Sequence, residues 1–256
     1  MSIAIINSST LVSDVQGNFI VKALNVLLPK FCKDWNVTPT LTVYVPKGQK
    51  TNIVRKIFLL DSADVQGALG YHDLSSNVPY GKCFAKTILS EGGVILYSPI
   101  ASVPTLAEVV CHEVFELLVN PLCNEWWDIG DSKTFYAREP CDPVQNNALT
   151  VPVLVSPASS RYNTTLRKVV ATPAVYQNVG CSDWILPTWA NPHDTKGPFN
   201  HLNTLKAPFT LDKGGYAIKM TGGTVGYNMT MMFGSAVTPA QKAKYLAKSK
   251  LSGSMT

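Results

Sequence analysis

Apolar residues recur at helical spacing through residues 18–35, where Phe19, Ala23, Leu24, Leu27, Leu28 and Phe31 share a face, after a short strand at 4–6. Pro29 falls inside that run and is expected to end or kink the helix. The pattern then shortens. Residues 41–45 alternate, 57–60 are continuously apolar, and 80–88 and 94–97 read as further strands. A helical period returns at 106–119, after Pro104, and stops at Asn120-Pro121. Beyond Pro143, short strand-like segments at 150–155, 166–172, 174–179, 184–187 and 217–220 are separated by Pro, Gly, Asn and Ser. Gly214-Gly215 and Gly222-Gly223 mark tight turns, and Thr238-Pro239 opens a last helix over 238–251. The expected organisation is α+β: residues 1–148 built around two helices, a β-rich region over 149–237, and a basic helical tail over 238–256.

The 106–119 run carries the most specific chemistry. It contains His112-Glu113-Val114-Phe115-Glu116, an H-E-x-x-E sequence. On a helix His112 and Glu116 project from one face one turn apart, and Glu113 lies about 100° around the axis from His112. Two metal ligands beside a carboxylate able to deprotonate a bound water is the layout of a zinc hydrolase helix. The common version has His where this chain has Glu116. Glu108, His112 and Glu116 form one stripe through an otherwise apolar helix, and such groups are costly to bury unless paired or bound to a cation. A solvent-facing stripe is the blander reading, but it leaves Glu113, which points elsewhere, without a reason.

A third ligand is expected from the loop Glu139-Pro140-Cys141-Asp142-Pro143, from either Asp142 or Glu139, with Asp142 preferred. Asp before Pro is also ordinary turn chemistry. His112, Glu116 and Asp142 would neutralise a divalent cation, whereas two histidines and one carboxylate leave a positive charge. The site is therefore weaker at acidifying water and admits harder ions than zinc. His72 could contact substrate or metal, but a loop histidine bonded to Asp73 is the preferred reading. His193 and His201 could close over a cleft but read first as exposed, and Trp126, Trp127, Trp184 and Trp189 could line a peptide cleft but read first as core or interface residues. No G-x-S-x-G or G-x-x-x-x-G-K occurs, and Cys111 beside His112 on a helix cannot share its direction.

Four separated motifs occur in order: Gly67-Ala68-Leu69-Gly70-Tyr71-His72-Asp73, the helix from Cys111 to Pro121, Glu139-Pro140-Cys141-Asp142-Pro143-Val144, and Val179-Gly180-Cys181-Ser182-Asp183-Trp184-Ile185-Leu186-Pro187. With the later Pro208-Phe209-Thr210-Leu211 and Gly214-Gly215-Tyr216, they resemble an uncharacterised family of phage and prophage proteins with a zincin-like H-E-x-x-E helix. The resemblance spans roughly residues 65–216. It implies a zincin-like, metalloprotease-like core and a phage setting, and it brings no established biochemical role with it.

Composition narrows the setting. Hydrophobic residues make up 46% and charged ones 15%. So low a charge share fits either a surface hidden in an assembly or large cores. No apolar run approaches the roughly 20 residues that cross a bilayer. The start of the chain lacks a basic segment and a cleavage-like site, so a cytoplasmic origin is expected, with the six cysteines as buried free thiols and the sequons at Asn7, Asn36, Asn163 and Asn228 unused. Two functions follow. One is a zinc-dependent peptidase: His112, Glu116 and Asp142 or Glu139 hold zinc or another divalent cation, Glu113 is the general base, and the strand near 80–88 aligns an extended peptide substrate. The other is a structural component of the virion (head, neck or tail) that keeps the scaffold with a degenerate site and binds other phage structural proteins or copies of itself. The tail, with Lys242, Lys244, Lys248 and Lys250, is expected to dock on another subunit or an acidic surface; four lysines without an aromatic platform make nucleic acid the weaker partner.

Overall fold

The computed structural model of the chain describes residues 1–163, 165, 167–224 and 226–242. The protein is mixed α/β. Its first sheet has five strands, β1 (Ser2–Asn7), β2 (Leu41–Val45), β3 (Arg55–Leu60), β4 (Gly70–Ser75) and β5 (Val78–Phe84), in the order β2-β1-β3-β5-β4. The pairs β1–β2, β1–β3 and β3–β5 are parallel, whereas β4 runs antiparallel to β5 on the edge. Ile3, Ala4 and Ile5 on β1 are all fully buried, as a central strand covered on both faces requires. Ser76 and Asn77, both at positive φ, form the two-residue turn between β4 and β5.

Helix α1 (Asp14–Trp35) starts at a capping box between Ser13 and Gln16 and ends at Asn36 in the left-handed conformation. It runs through Pro29, against expectation. Pro29 is on the exposed face, while Leu24, Leu28, Phe31 and Trp35 hold both halves of the helix in the core. The segment expected as a strand over 80–88 divides at Phe84, and Ala85–Ser90 forms the short helix α2, burying Ala85 and Ile88 one turn apart. Residues 94–97 give only a bridge from Val94 to Thr105. Residues 184–187 give a bridge from Ile185 to Asn200, then a 3₁₀ turn opened by Pro187.

Helix α3 (Leu106–Val119) has the bounds its sequence predicts, set by a Thr105–Glu108 capping box and by Asn120. It is enclosed between β4 and β5 on one side and α1 and β11 (Val175–Ser182) on others. Twelve of its fourteen residues are buried, which is why it is apolar nearly all round. β11 pairs with β8 (Ala148–Ser156), and β9 (Ser159–Asn163) with β10 (Lys168–Thr172), as two antiparallel ribbons. A four-stranded sheet, in the order β13-β12-β7-β6, joins β6 (Trp126–Asp128) and β7 (Thr134–Ala137) to β12 (Tyr216–Gly223) and β13 (Gly226–Phe233), and so links strands from either side of residue 148. Thr238 and Gln241 exchange capping bonds, with residues 239–242 helical; the rest of the expected tail helix lies outside the described residues. All six cysteines are free thiols, five of them buried.

Candidate metal centre

His112, Glu113 and Glu116 are buried, at 7%, 2% and 0% exposure, so of the stripe on α3 only Glu108 is half-buried rather than buried. His112 Nε2 lies 2.9 Å from Glu116 Oε1 and 3.2 Å from Asp142 Oδ1. One donor atom from each of these three side chains falls within 4.8 Å of the others, so that a small inward movement of the side chains would close them around an ion with bonds near 2 Å. Asp142 opens a 3₁₀ turn, Asp142–Val144, whose backbone is clamped from outside. The Asp212 N–H donates to the Pro143 carbonyl at 2.9 Å, and Gly215 passes so close that a Cβ there would run into that carbonyl.

Glu139, the other loop candidate, is placed differently. Its Oε1 accepts from Asn120 Nδ2 at 2.9 Å, and its Oε2 lies 3.8 Å from His72 Nε2. Asn120 also ends α3 and accepts the N–H groups of Asn124 and Glu125, so one side chain ties the helix terminus to Glu139.

His72 is the residue that sequence reasoning misplaced. It lies on β4, 7% exposed, with Nδ1 3.4 Å from Glu116 Oε2 and 3.5 Å from Glu113 Oε2. Asp73 instead accepts the Leu74 N–H. Burial pulls the His72 pKa down, but the Glu139 charge, with Cys123, Glu113 and Glu116, holds it well above the ordinary histidine range. The remaining histidines are peripheral: His193 is exposed, and His201 stacks on Trp184 with ring centroids 4.0 Å apart.

The close approach of α3 to the edge of the sheet depends on Gly70. A Cβ there would come 2.5 Å from Val109 Cγ1 and 3.0 Å from Glu113 Oε1. Beside this contact opens a cavity of about 470 Å³, bordered by Gly67, Gly70, Glu108, His112 and Glu113. β5, the strand expected to align a peptide, is flanked by β3 and β4 and has no edge to offer. β4 is the edge strand; among the described residues no strand pairs with its other side, and the Cys123 thiol lies over the His72 carbonyl.

Four carboxylates and two imidazoles are thus gathered in the interior. With neutral imidazoles the cluster carries four negative charges, which a low-dielectric setting tolerates only with protons or cations to offset them. The donors, nitrogen and oxygen with no sulfur, suit zinc or a harder divalent ion. The residues present therefore fit a metal.

Glu108 borders the same cavity, and burial pushes its pKa up to about 7 against the bonds from Thr105. Its folded pKa is above its unfolded value, so its stabilising contribution is full below about pH 4.5 and is lost as pH rises through 7. Glu108→Gln preserves the capping box and cannot ionise. The variant should match the parent at pH 4.5 and exceed it at pH 8 by on the order of 3 kcal/mol in urea denaturation. Equal stabilities at pH 8 would show that solvent reaches the carboxylate.

No protein-family model, curated protein or solved structure matches the chain.

Proposed function

We propose that the protein is a divalent-metal-dependent peptidase of zincin-like construction and that, on the resemblance of its motifs, it acts as part of a phage particle. The observation that carries the enzymatic reading is the convergence of His112, Glu116 and Asp142 beside Glu113 at the cavity. A mixed sheet whose antiparallel edge strand lies against the H-E-x-x-E helix supports the zincin-like description. In this reading His112, Glu116 and Asp142 hold the ion, which when bound polarises the substrate carbonyl and the attacking water. Glu113 takes the proton from that water and returns it to the leaving amine. The open side of β4 pairs with an extended peptide and sets its carbonyl over the cavity, while Asn120 and Glu139 keep the surrounding chain in place. Among the described residues no helix is long and apolar enough to cross a membrane.

A structural role in the virion, on the same scaffold without turnover, is favoured by a separate observation. Large apolar side chains are exposed along the ribbons: Leu154, Val155, Val175 and Tyr176 on β8 and β11, with Tyr227 and Met229 on β13. Such surfaces are usual where subunits meet.

The test is zinc stripping and return on the full chain. Zinc at 100-fold above Kd should stabilise the chain by about 2.7 kcal/mol, raising Tm by roughly 5–10 °C. The loaded protein should cleave members of a peptide mixture read by mass spectrometry, and a chelator should stop it. Bound zinc without cleavage selects the structural reading. No bound ion and no cleavage removes the metal centre altogether.

A further inference from the structure

Glu116 presents its two oxygens to opposite sides. Oε1 faces His112 and Asp142, whereas Oε2 faces His72. On the His72 side a second trio converges, one donor atom each from His72, Glu113 and Glu116 within 4.8 Å of one another. We propose that this trio holds a second divalent cation, bound by His72 Nδ1, Glu113 Oε2 and Glu116 Oε2, with Glu116 bridging it to the first. The proposal rests on the His112–Glu116–Asp142 reading above and extends it to a two-ion centre.

Geometry, the carboxylate behind the histidine and charge each support the assignment. Tetrahedral bonds of about 2.1 Å place donor atoms about 3.4 Å apart. The observed 3.4 and 3.5 Å from His72 Nδ1 to the two glutamates match that spacing. Neither ring nitrogen of this buried histidine has a partner in hydrogen-bond geometry, so it is poised for another kind of bond. Behind the ring, Glu139 faces Nε2 and is itself held by Asn120, the carboxylate support that commonly orients a ligating histidine. The charge count agrees. Glu113, Glu116, Glu139 and Asp142 carry four negative charges when ionised, which two divalent cations match with both imidazoles neutral and acting as ligands. Carboxylate-bridged ion pairs usually lie about 3.5–4 Å apart, a separation that a shared glutamate sets. Bound through Oε2, Glu113 keeps Oε1, the oxygen beside Gly70 at the cavity, for its part in catalysis.

The experiment counts ions on the full chain, stripped with a chelator and then reloaded with zinc or with manganese alone. Elemental analysis after gel filtration should find two ions per chain. His72→Gln should keep one and His112→Gln should keep the other, and manganese-loaded protein should show the exchange-coupled electron paramagnetic resonance spectrum of a bridged pair. One ion per chain at saturation, with an uncoupled manganese spectrum, would overturn the second site and leave the peptidase reading standing. Two ions in His72→Gln would also overturn it. No ion at all would remove both. Should the His72 variant fail to fold, the coupled spectrum of the parent decides alone.

Discussion

Glu113→Gln should lower peptide cleavage by roughly 10²–10⁴-fold, the usual contribution of a positioned general base. The substitution is nearly isosteric; it removes the proton acceptor and, with it, the carboxylate assigned to the second ion. His112, Glu116 and Asp142 do not include it, so the ion they share should stay, and its retention in the variant separates loss of chemistry from loss of that site. Steady-state kinetics with zinc-loaded protein measures the effect. A variant as active as the parent would leave the reaction without a base at Glu113, and the mechanism given above would be wrong.

Phe115→Ala should cost about 3–5 kcal/mol in chemical denaturation, a large share of the roughly 5–15 kcal/mol that holds a typical domain. Phe115 is not among the residues that converge on the metal site. Its ring stacks on Phe31 of α1 at 4.0 Å and meets Trp184 edge-on at 5.2 Å, and all three are fully buried. Trp184 Nε1 in turn donates to Asp34 at the end of α1, and Trp35 Nε1 donates to the Ile185 carbonyl. The aromatic trio therefore locks α1, α3 and the 183–186 segment together. A loss below about 1 kcal/mol would mean the site collapses readily around the smaller side chain.

The two principal helices were the most legible part of the sequence. α3 shows it best: its apolar run is long, Thr105 and Glu108 cap one end, and Asn120-Pro121 closes the other. The relation of His112 to Glu116 was legible for the same reason, since positions four apart on a helix share a face whatever surrounds it. The strands were less so. β4 reads Gly-Tyr-His-Asp-Leu-Ser, with neither alternation nor an apolar run to mark it, and β6 and β7 are too short to show a period. His72 as a metal contact ranked below a loop histidine because its strand was not visible. The one local signal was Ser76-Asn77, a two-residue turn with positive φ at both positions, and that pair lacks the glycine that usually announces such a turn. Pro29 misled in the opposite direction, because a proline's local cost says nothing of the core contacts on both sides of it.

That turn has a consequence for the centre. Side chains alternate across a strand, so the pairing of β4 with β5 decides which residues of β4 face the helix. In the observed register His72 lies opposite Gly81 and Tyr71 opposite Lys82. A slip of one residue would carry His72 to the far side of the sheet and bring Tyr71 or Asp73 over Glu113 and Glu116. A phenol or a further carboxylate would then stand where an imidazole now does. The identity of a donor more than forty positions away from Glu116 thus depends on the length of a two-residue loop, and an insertion or deletion at 76–77 would rewrite the inner coordination chemistry without touching any residue of the cluster.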